Sequence, residues 1–271
     1  MGRIKMDKSN LAERMKTYYE NIPKTKLIRR VPVAIRLDGK AFHTFTRWFK
    51  KPFDDLLITS MQQTMQYLCE NIQGCVFGYT QSDEITLILI DYQNLNSAAW
   101  FDYQVQKICS ISASMATMAF NNFFRENISI FASGVQYNRY TAAINQGALF
   151  DARCFNIPKE EVTNLIYWRQ LDATRNSIQM VGQHYFSHNQ LKGKSCNDIQ
   201  DMLFKEYGVN WNDYLTFYKR GSACRKVNMT EIDISNQKYA EVTKWFIDRD
   251  MPILKGENRQ YVDKYIYVGE E

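Results

Sequence analysis

Two acidic turns, each continuous with a β-like run, constrain this chain more than any other feature. Val33-Ala34-Ile35-Arg36-Leu37 runs straight into Asp38-Gly39-Lys40. Val76-Phe77-Gly78-Tyr79-Thr80 runs into Gln81-Ser82-Asp83-Glu84, and the chain returns as Ile85-Thr86-Leu87-Ile88-Leu89-Ile90, the pattern of a hairpin. Taken singly, each aspartate reads first as a turn residue, because Asp before Gly and Asp in a hairpin are favoured for backbone reasons. Their joint placement points to chemistry. A carboxylate at a strand end and another in a neighbouring hairpin can share a pair of hard cations. Such cations prefer oxygen ligands and can clamp the attacking and leaving oxygens of phosphoryl or nucleotidyl transfer.

The periodicity around these turns sets the expected topology. Pro52-Phe53-Asp54-Asp55 reads as a helix start, and Leu57, Met61, Met65 (or Thr64), Leu68 and Ile72 follow at helical spacing up to Gly74. A second helix is expected from about Ser97 to Phe124, with Phe101, Val105, Ile108, Ser112, Met115 and Ala119 facing inward, and Ile128 to Val135 reads as a strand. The order is β-α-β-β-α-β. The expected fold is therefore α+β, a ferredoxin-like βαββαβ palm of the polymerase and cyclase type, with an elaborated and more helical C-terminal half. In that half, Ala148–Ile157 reads as a strand and Pro158 with Glu160 and Glu161 opens a helix. Arg169, Asp172, Asn176 and Gln179 make a polar stripe along it. Ser195-Cys196-Asn197-Asp198 resembles a capping box for a helix ending at Gly208. One elaborated domain over 1–271 is expected, with a catalytic core at about 31–157 and a helical RNA and assembly region at about 158–271.

Composition narrows the class. The 271 residues suffice for a substantial core, and 45% hydrophobic and 14% aromatic content argue against extended disorder. A net charge of +5 permits a polyanionic partner without requiring one. The six cysteines form no C-x-x-C pair, which points to reduced thiols and not to a zinc site or disulfide framework. No apolar signal region follows Met1, and no apolar run approaches the ~20 residues that span a bilayer, so a cytoplasmic location is expected.

Several groups suit phosphate. Gly39 lets backbone approach a ligand or metal beside Asp38. Lys40, Lys50, Lys51 and Lys107 are candidates for triphosphate oxygens, each on its own more readily a solvated surface lysine. His43 either positions a nucleotide or is structural. Tyr218-Lys219-Arg220-Gly221-Ser222, preceded by Trp211, Tyr214 and Phe217, suits phosphate neutralisation with base stacking, or an amphipathic helix ending at a solvated loop. His184 and His188 stand four apart without a third ligand and read as structural. Neither a Walker nor a Rossmann glycine loop occurs.

Taken in order, these segments resemble a known family. Arg36-Leu37-Asp38-Gly39-Lys40-x-Phe42-His43-x-Phe45, Lys51-Pro52-x-Asp54 and Gln81-Ser82-Asp83-Glu84 look like the signature of the tRNA-His guanylyltransferase family. Phe150-Asp151-x-Arg153, Trp168-Arg169-Gln170-x-Asp172 and Lys219-Arg220-Gly221-Ser222 continue the match, which covers roughly Val33 to Arg225. The resemblance implies an enzyme that adds nucleotides to the 5′ end of tRNA, using two magnesium ions, ATP and GTP or other NTPs, in a tetrameric assembly. It implies Asp38 and Asp83 as catalytic metal ligands with the Gly39 carbonyl, and Glu84 as a supporting catalytic residue. Lys40, His43, Lys51, Ser82 and Lys107 are implied to bind nucleotide. Arg169, Asp172, Arg175, Asn176, Lys219 and Arg220 are implied to bind tRNA. Where the eukaryotic enzymes carry His-Ile-Asn-Asn, this chain has Thr174-Arg175-Asn176-Ser177, and Gln104 lies near an arginine of the eukaryotic pattern. Those features resemble the bacterial and archaeal Thg-like branch, associated with template-directed repair of truncated tRNA 5′ ends.

Three other functions share parts of this pattern. A dedicated enzyme would add guanosine only to tRNA-His. A nucleotide cyclase would use the same paired carboxylates without RNA. A non-catalytic RNA-binding module would use the same sheet, although no aromatic pair on adjacent strands suits base stacking.

Overall fold

The computed structural model describes residues 10–233 and 238–269, apart from the side chains of 231–240. A short helix, α1 (Asn10–Met15), precedes strand β1 (Val33–Gly39). A one-turn helix α2 (Phe42–Phe45) and a long helix α3 (Asp55–Asn71) lead to the hairpin β2 (Cys75–Gln81) and β3 (Glu84–Leu89). Helices α4 (Val105–Phe131) and α5 (Gly134–Gln146) precede β4 (Phe150–Asn156). Then come α6 (Lys159–Tyr185), α7 (His188–Leu191), α8 (Cys196–Tyr207) and α9 (Thr216–Arg220). Strands β5 (Ser222–Asp233) and β6 (Lys238–Asp248) and a short helix α10 (Gln260–Asp263) complete the described chain.

The strands form one six-stranded antiparallel sheet in the order β4-β1-β3-β2-β5-β6. Strand alternation sends side chains to opposite faces. Val33, Ile35, Leu37, Ile85, Leu87 and Leu89 pack with the buried faces of α3 and α4. Ala34, Phe77, Tyr79 and Ile88 pack instead with Val162 and Ile166 of α6 and with Met251, Leu254 and Val262. A third cluster joins the second half of α6 to α8 through Ile178, Val181, Ile199, Leu203 and Trp211. The carboxylate strands therefore lie between two helical layers.

Local signals explain much of this. Asp54 caps α3, its carboxylate accepting from the Leu57 amide at 2.9 Å, and Met61, Met65, Leu68 and Ile72 are buried as their spacing predicts. Ser195 and Asp198 form the expected reciprocal capping box on α8. Gly208 ends that helix in the left-handed region at φ 66°.

Two expectations are corrected. The second helix begins at Val105, after a 3-10 turn at Trp100–Tyr103, and Phe101 is exposed. It also runs on to Phe131, so Ile128–Val135 is not a strand. Phe120, Phe124 and Ile128 recur every fourth residue on its buried face, while Ile130 is 74% exposed. The closing strand of the β-α-β-β-α-β series is β4. The second half also returns to the sheet: β5 pairs with β2 over Ser222–Arg225, then continues with β6 as a two-stranded ribbon. Among the described residues no helix is long and apolar enough to cross a membrane.

Candidate active site

The two acidic turns meet through the backbone. Asp38 pairs with Glu84 across β1 and β3, and the Gly39 amide donates to the Asp83 carbonyl at 3.0 Å. A Cβ at Gly39 would lie 2.3 Å from the Phe42 ring, so glycine is what allows Phe42 to pack beneath the turn. Phe42 rests in turn on Phe45, Phe120 and Phe150, a rigid aromatic floor. Ser82 (φ 51°) and Ala41 (φ 55°) both occupy the left-handed region, which costs a non-glycine residue roughly 1–2 kcal/mol. Both line the same cleft. Strain of this kind persists where the surroundings over-determine it, typically at functional sites.

The neighbouring carboxylates have different electrostatic surroundings. Glu84 is buried and its Oε2 lies 2.5 Å from Arg36 Nη2 and 3.1 Å from Arg169 Nη1. Arg169 also stacks on Trp168 at 3.6 Å and reaches Asp172 at 3.7 Å. Asp83 accepts a hydrogen bond from the Ser82 hydroxyl at 3.1 Å. Burial pushes the Asp83 carboxyl above the ordinary aspartate range, and the negative charges of Asp38 and Glu84 add to that. Among the described residues no cation forms an ion pair with Asp38 or Asp83.

Two uncompensated carboxylates beside a backbone carbonyl form a hard oxygen donor set. Magnesium suits it, since that ion is commonly held by one or two carboxylates together with substrate phosphates and water. No cluster of three or more His, Cys, Asp or Glu side chains occurs among the described residues, so a zinc-type cage is not what the site offers.

A cleft of about 470 Å³ opens beside this pair, lined among others by Gly39, His43, Lys50, Lys51, Ser82 and Asp83. Asp54 shapes its wall. Besides capping α3, its buried carboxylate accepts from the Lys50 amide at 2.9 Å and the Tyr140 hydroxyl at 2.5 Å, pinning the Lys50-Lys51 segment. His43 is exposed, with Nε2 3.1 Å from the Thr44 hydroxyl.

The structure gathers some of the expected residues and separates others. Lys40 is exposed beside the turn but does not line the cleft. Lys107 lies in the first turn of α4, 5.8 Å over the Phe101 ring, and does not line it either. Arg169, expected at RNA, is only 4% exposed and is engaged with Glu84. Asp172 pairs with Arg175 at 2.6 Å and accepts from the Asn176 amide at 3.4 Å, which leaves Arg175 the exposed one among the four residues of α6 expected at RNA. Lys219 is buried and donates to the Asn212 carbonyl at 2.5 Å. Burial lowers its pKa, with the charge of Arg220 contributing. The Arg220 carbonyl accepts from the Tyr79 hydroxyl at 2.6 Å, so this turn is locked to β2. Ser177 is buried too, within reach of the Lys219 carbonyl at 3.3 Å and accepting from Trp211 Nε1 at 3.2 Å. The amphipathic-helix reading of 211–220 thus describes Lys219 and Trp211 better than an open stacking surface does.

Arg36 belongs to the site although the motif alone assigns it no role. A charged residue inside the apolar run Val33–Leu37 was the signal that it needs a buried partner. That partner is Glu84.

This arrangement belongs to an enzyme that handles nucleotides, and comparison with known proteins agrees. A family model described as tRNAHis guanylyltransferase matches residues 12–158, which take in both acidic turns and every cleft-lining residue named above. A bacterial tRNA(His) guanylyltransferase-like protein solved with ATP superposes with a TM-score of 0.80. It is 38% identical over 95% of this chain and 100% of that one. A GTP complex of such a bacterial protein gives 0.77, at 36% identity over 96% and 100%. A probable tRNA(His) guanylyltransferase of Dictyostelium discoideum is 26% identical over 76% of this chain and 79% of its own. The protein is a nucleotidyltransferase. More narrowly, the chain belongs to the tRNAHis guanylyltransferase family.

Proposed function

We propose that this protein is a magnesium-dependent 3′-to-5′ nucleotidyltransferase that repairs tRNA 5′ ends. It activates the tRNA 5′-monophosphate with ATP or GTP, then adds nucleotides from NTPs by matching a template. The observation that carries the reading is the Gly39–Asp83 backbone bond, which holds Asp38, Gly39 and Asp83 together at the mouth of a cleft containing Lys50, Lys51, His43 and Ser82. The relatives solved with ATP and GTP support both nucleotides as substrates.

Bound between the two aspartates, magnesium would stabilise charge on the attacking and leaving oxygens. The chain's own residues orient the reactants. Lys50 and Lys51 neutralise polyphosphate along the wall that Asp54 fixes, the Ser82 hydroxyl and His43 complete the polar lining, and Glu84 keeps the hairpin seated on Arg36 and Arg169. We read β1–β4 with α3 and α4 as a ferredoxin-like palm, and residues 158–271 as supplying RNA and assembly surface to a cytoplasmic homotetramer. Arg175 and Arg220 are the members of the second-half set left for tRNA.

A dedicated tRNA-His enzyme is the second reading, favoured by the family description. What supports repair is the use made of positions 174 and 177. Thr174 donates to the Gln170 carbonyl at 2.9 Å, and the buried Ser177 is within 2.8 Å of the Thr174 carbonyl, so neither side chain offers the donor that the histidine and asparagine of the eukaryotic pattern would present to an RNA.

The test is an extension assay with 5′-monophosphorylated tRNAs, intact or lacking their first nucleotide, with magnesium, ATP and all four NTPs. Template-matched addition to several truncated tRNAs is expected. Guanosine addition confined to intact tRNA-His would establish the second reading, and a cyclic product formed without RNA would overturn both.

A further inference from the structure

Three cavities adjoin along the C-terminal half of α6. The reactive cleft shares Lys51, Pro52 and Met180 with a cavity of about 240 Å³, which also touches Gln183 and His184. Gln183 then lines a third cavity of about 510 Å³, together with Gln179, His188, Lys192 and Lys194. The route is set by helix geometry. Gln179 and Gln183 stand one turn apart on α6, Met180 and His184 stand one residue further round, and α7 brings His188 and then the two lysines alongside.

The charged side chains that line the two outer cavities are of one sign, Lys51, Lys192 and Lys194. His184, His188, Lys192 and Lys194 are all exposed, and the His184 ring packs edge-on against Tyr185. Neither outer cavity is lined by a carboxylate. Of the apolar side chains among the linings, Phe186, Leu191 and Ile199 belong to the core cluster beneath, Phe186 being only 5% exposed, whereas Pro52 and the exposed Met180 line the junction with the reactive cleft. The residues lining the groove thus offer hydrogen-bond donors and positive charge, but no open aromatic ring on which a base could stack.

We propose that this groove carries the RNA strand leading away from the reacting 5′ end, gripping it by its phosphates. The inference rests on the reading of the Asp38–Asp83 cleft as the reactive centre. A free triphosphate is accounted for by the first cavity, whereas the extension through Gln183 to Lys194 suits a polymer. Contacts of this kind fix register without reading sequence, as a repair enzyme serving several tRNAs requires.

The test compares the full-length protein with Lys192→Ala/Lys194→Ala. Binding of 5′-monophosphorylated tRNAs of different sequence is followed by fluorescence anisotropy across roughly 50–200 mM salt, where each lost phosphate contact removes about 0.7–0.9 from the slope of log affinity against log salt. The expected result is a slope shallower by about 1–2, with tRNA affinity about tenfold or more weaker at low salt, alike for every tRNA. ATP affinity should be unchanged, and Lys192→Arg/Lys194→Arg should restore tRNA binding. Gln183→Glu, at the junction of the cavities, should weaken tRNA binding by itself. An unchanged affinity and slope would overturn the groove even if the enzyme extends tRNA normally. A loss confined to one tRNA would overturn the backbone-only grip, and a gain in binding to an acidic peptide over RNA would assign the groove to a protein. If tRNA binding depends on the lysines but no nucleotide is ever added, the groove stands and the reaction proposed above falls.

Discussion

Glu84 Oε2 lies 2.5 Å from Arg36 and 3.1 Å from Arg169, while Asp83 beside it pairs with no described cation. Adjacent carboxylates thus do different work. Glu84 is neutralised and fixes the hairpin between β1 and α6, whereas Asp83 keeps its charge for a ligand. Glu84→Ala strands two guanidinium groups, one of them almost fully buried. Breaking a buried pair from one side costs about 3–5 kcal/mol. Urea unfolding of Glu84→Ala should show a loss of that order, and an unchanged midpoint would show that the pairs are dispensable.

Asp83 predicts the opposite behaviour. Burial and the charges of Asp38 and Glu84 oppose its ionisation, so without a divalent cation the folded state is penalised once Asp83 loses its proton. Asp83→Asn should therefore keep or raise the metal-free melting temperature while abolishing nucleotide addition. Magnesium should raise the Tm of the wild type and leave that of Asp83→Asn unmoved, because a ligand stabilises only the state that binds it. Equal magnesium shifts in both proteins would remove Asp83 from the metal site.

What could be read from the sequence was whatever is local. The cap at Asp54, the stripe Met61-Met65-Leu68 and the tight hairpin at Ser82-Asp83 each declare themselves within a few residues, and each is present. Ile128–Val135 misled because Ile-Ser-Ile-Phe alternates like a strand, although the four-residue spacing from Phe120 already placed Ile128 on the helix's buried face. Strands β5 and β6 were silent because the ribbon beyond Arg225 pairs only with itself, so much of it stays exposed and no apolar alternation is required. The Arg36–Glu84–Arg169 contacts span sequence separations of 48 and 85, so no window along the chain could reveal them. Lys219 was expected at RNA for its charge, but packing against Trp211 buries it.

Asp54 links folding to the cleft. Its carboxylate accepts from the amides of Leu57 and Lys50 and from the Tyr140 hydroxyl. Asp54→Ala removes a helix cap, worth about 1 kcal/mol, and leaves buried donors unpaired at about 1–3 kcal/mol each. A total loss of roughly 3–7 kcal/mol is expected in denaturant unfolding, from the cap and the two donors, the Lys50 amide and the Tyr140 hydroxyl, left unpaired. Because the Lys50-Lys51 wall loosens, KM for the NTP should rise more than kcat falls. Tyr140→Phe keeps both amide bonds and should show a smaller stability loss with KM nearly intact. If Tyr140→Phe raises KM as much as Asp54→Ala does, the wall is held by α5 and not by the carboxylate.

The ribbon has its own acid sensitivity at Asp248. Burial alone would raise this carboxyl. The Tyr261 hydroxyl at 2.7 Å, the Asp250 amide at 3.0 Å and the Arg225 guanidinium at 3.0 Å outweigh burial and hold it below the ordinary aspartate range. A group whose folded pKa is depressed stabilises the protein above its unfolded pKa, about 3.9 for aspartate, and loses that contribution as pH falls through the folded value. Hydrogen bonds to a charged group are worth about 1.5–3 kcal/mol, so Asp248→Asn should be less stable than the wild type by that order at pH 7. The gap should close as the pH is lowered below about 4, where the wild-type carboxylate takes up its proton. Calorimetric unfolding of both proteins across that range measures it directly. A gap that stays constant with pH would mean that Asp248 acts through shape alone and that its charge does not hold β5 to the segment carrying Tyr261.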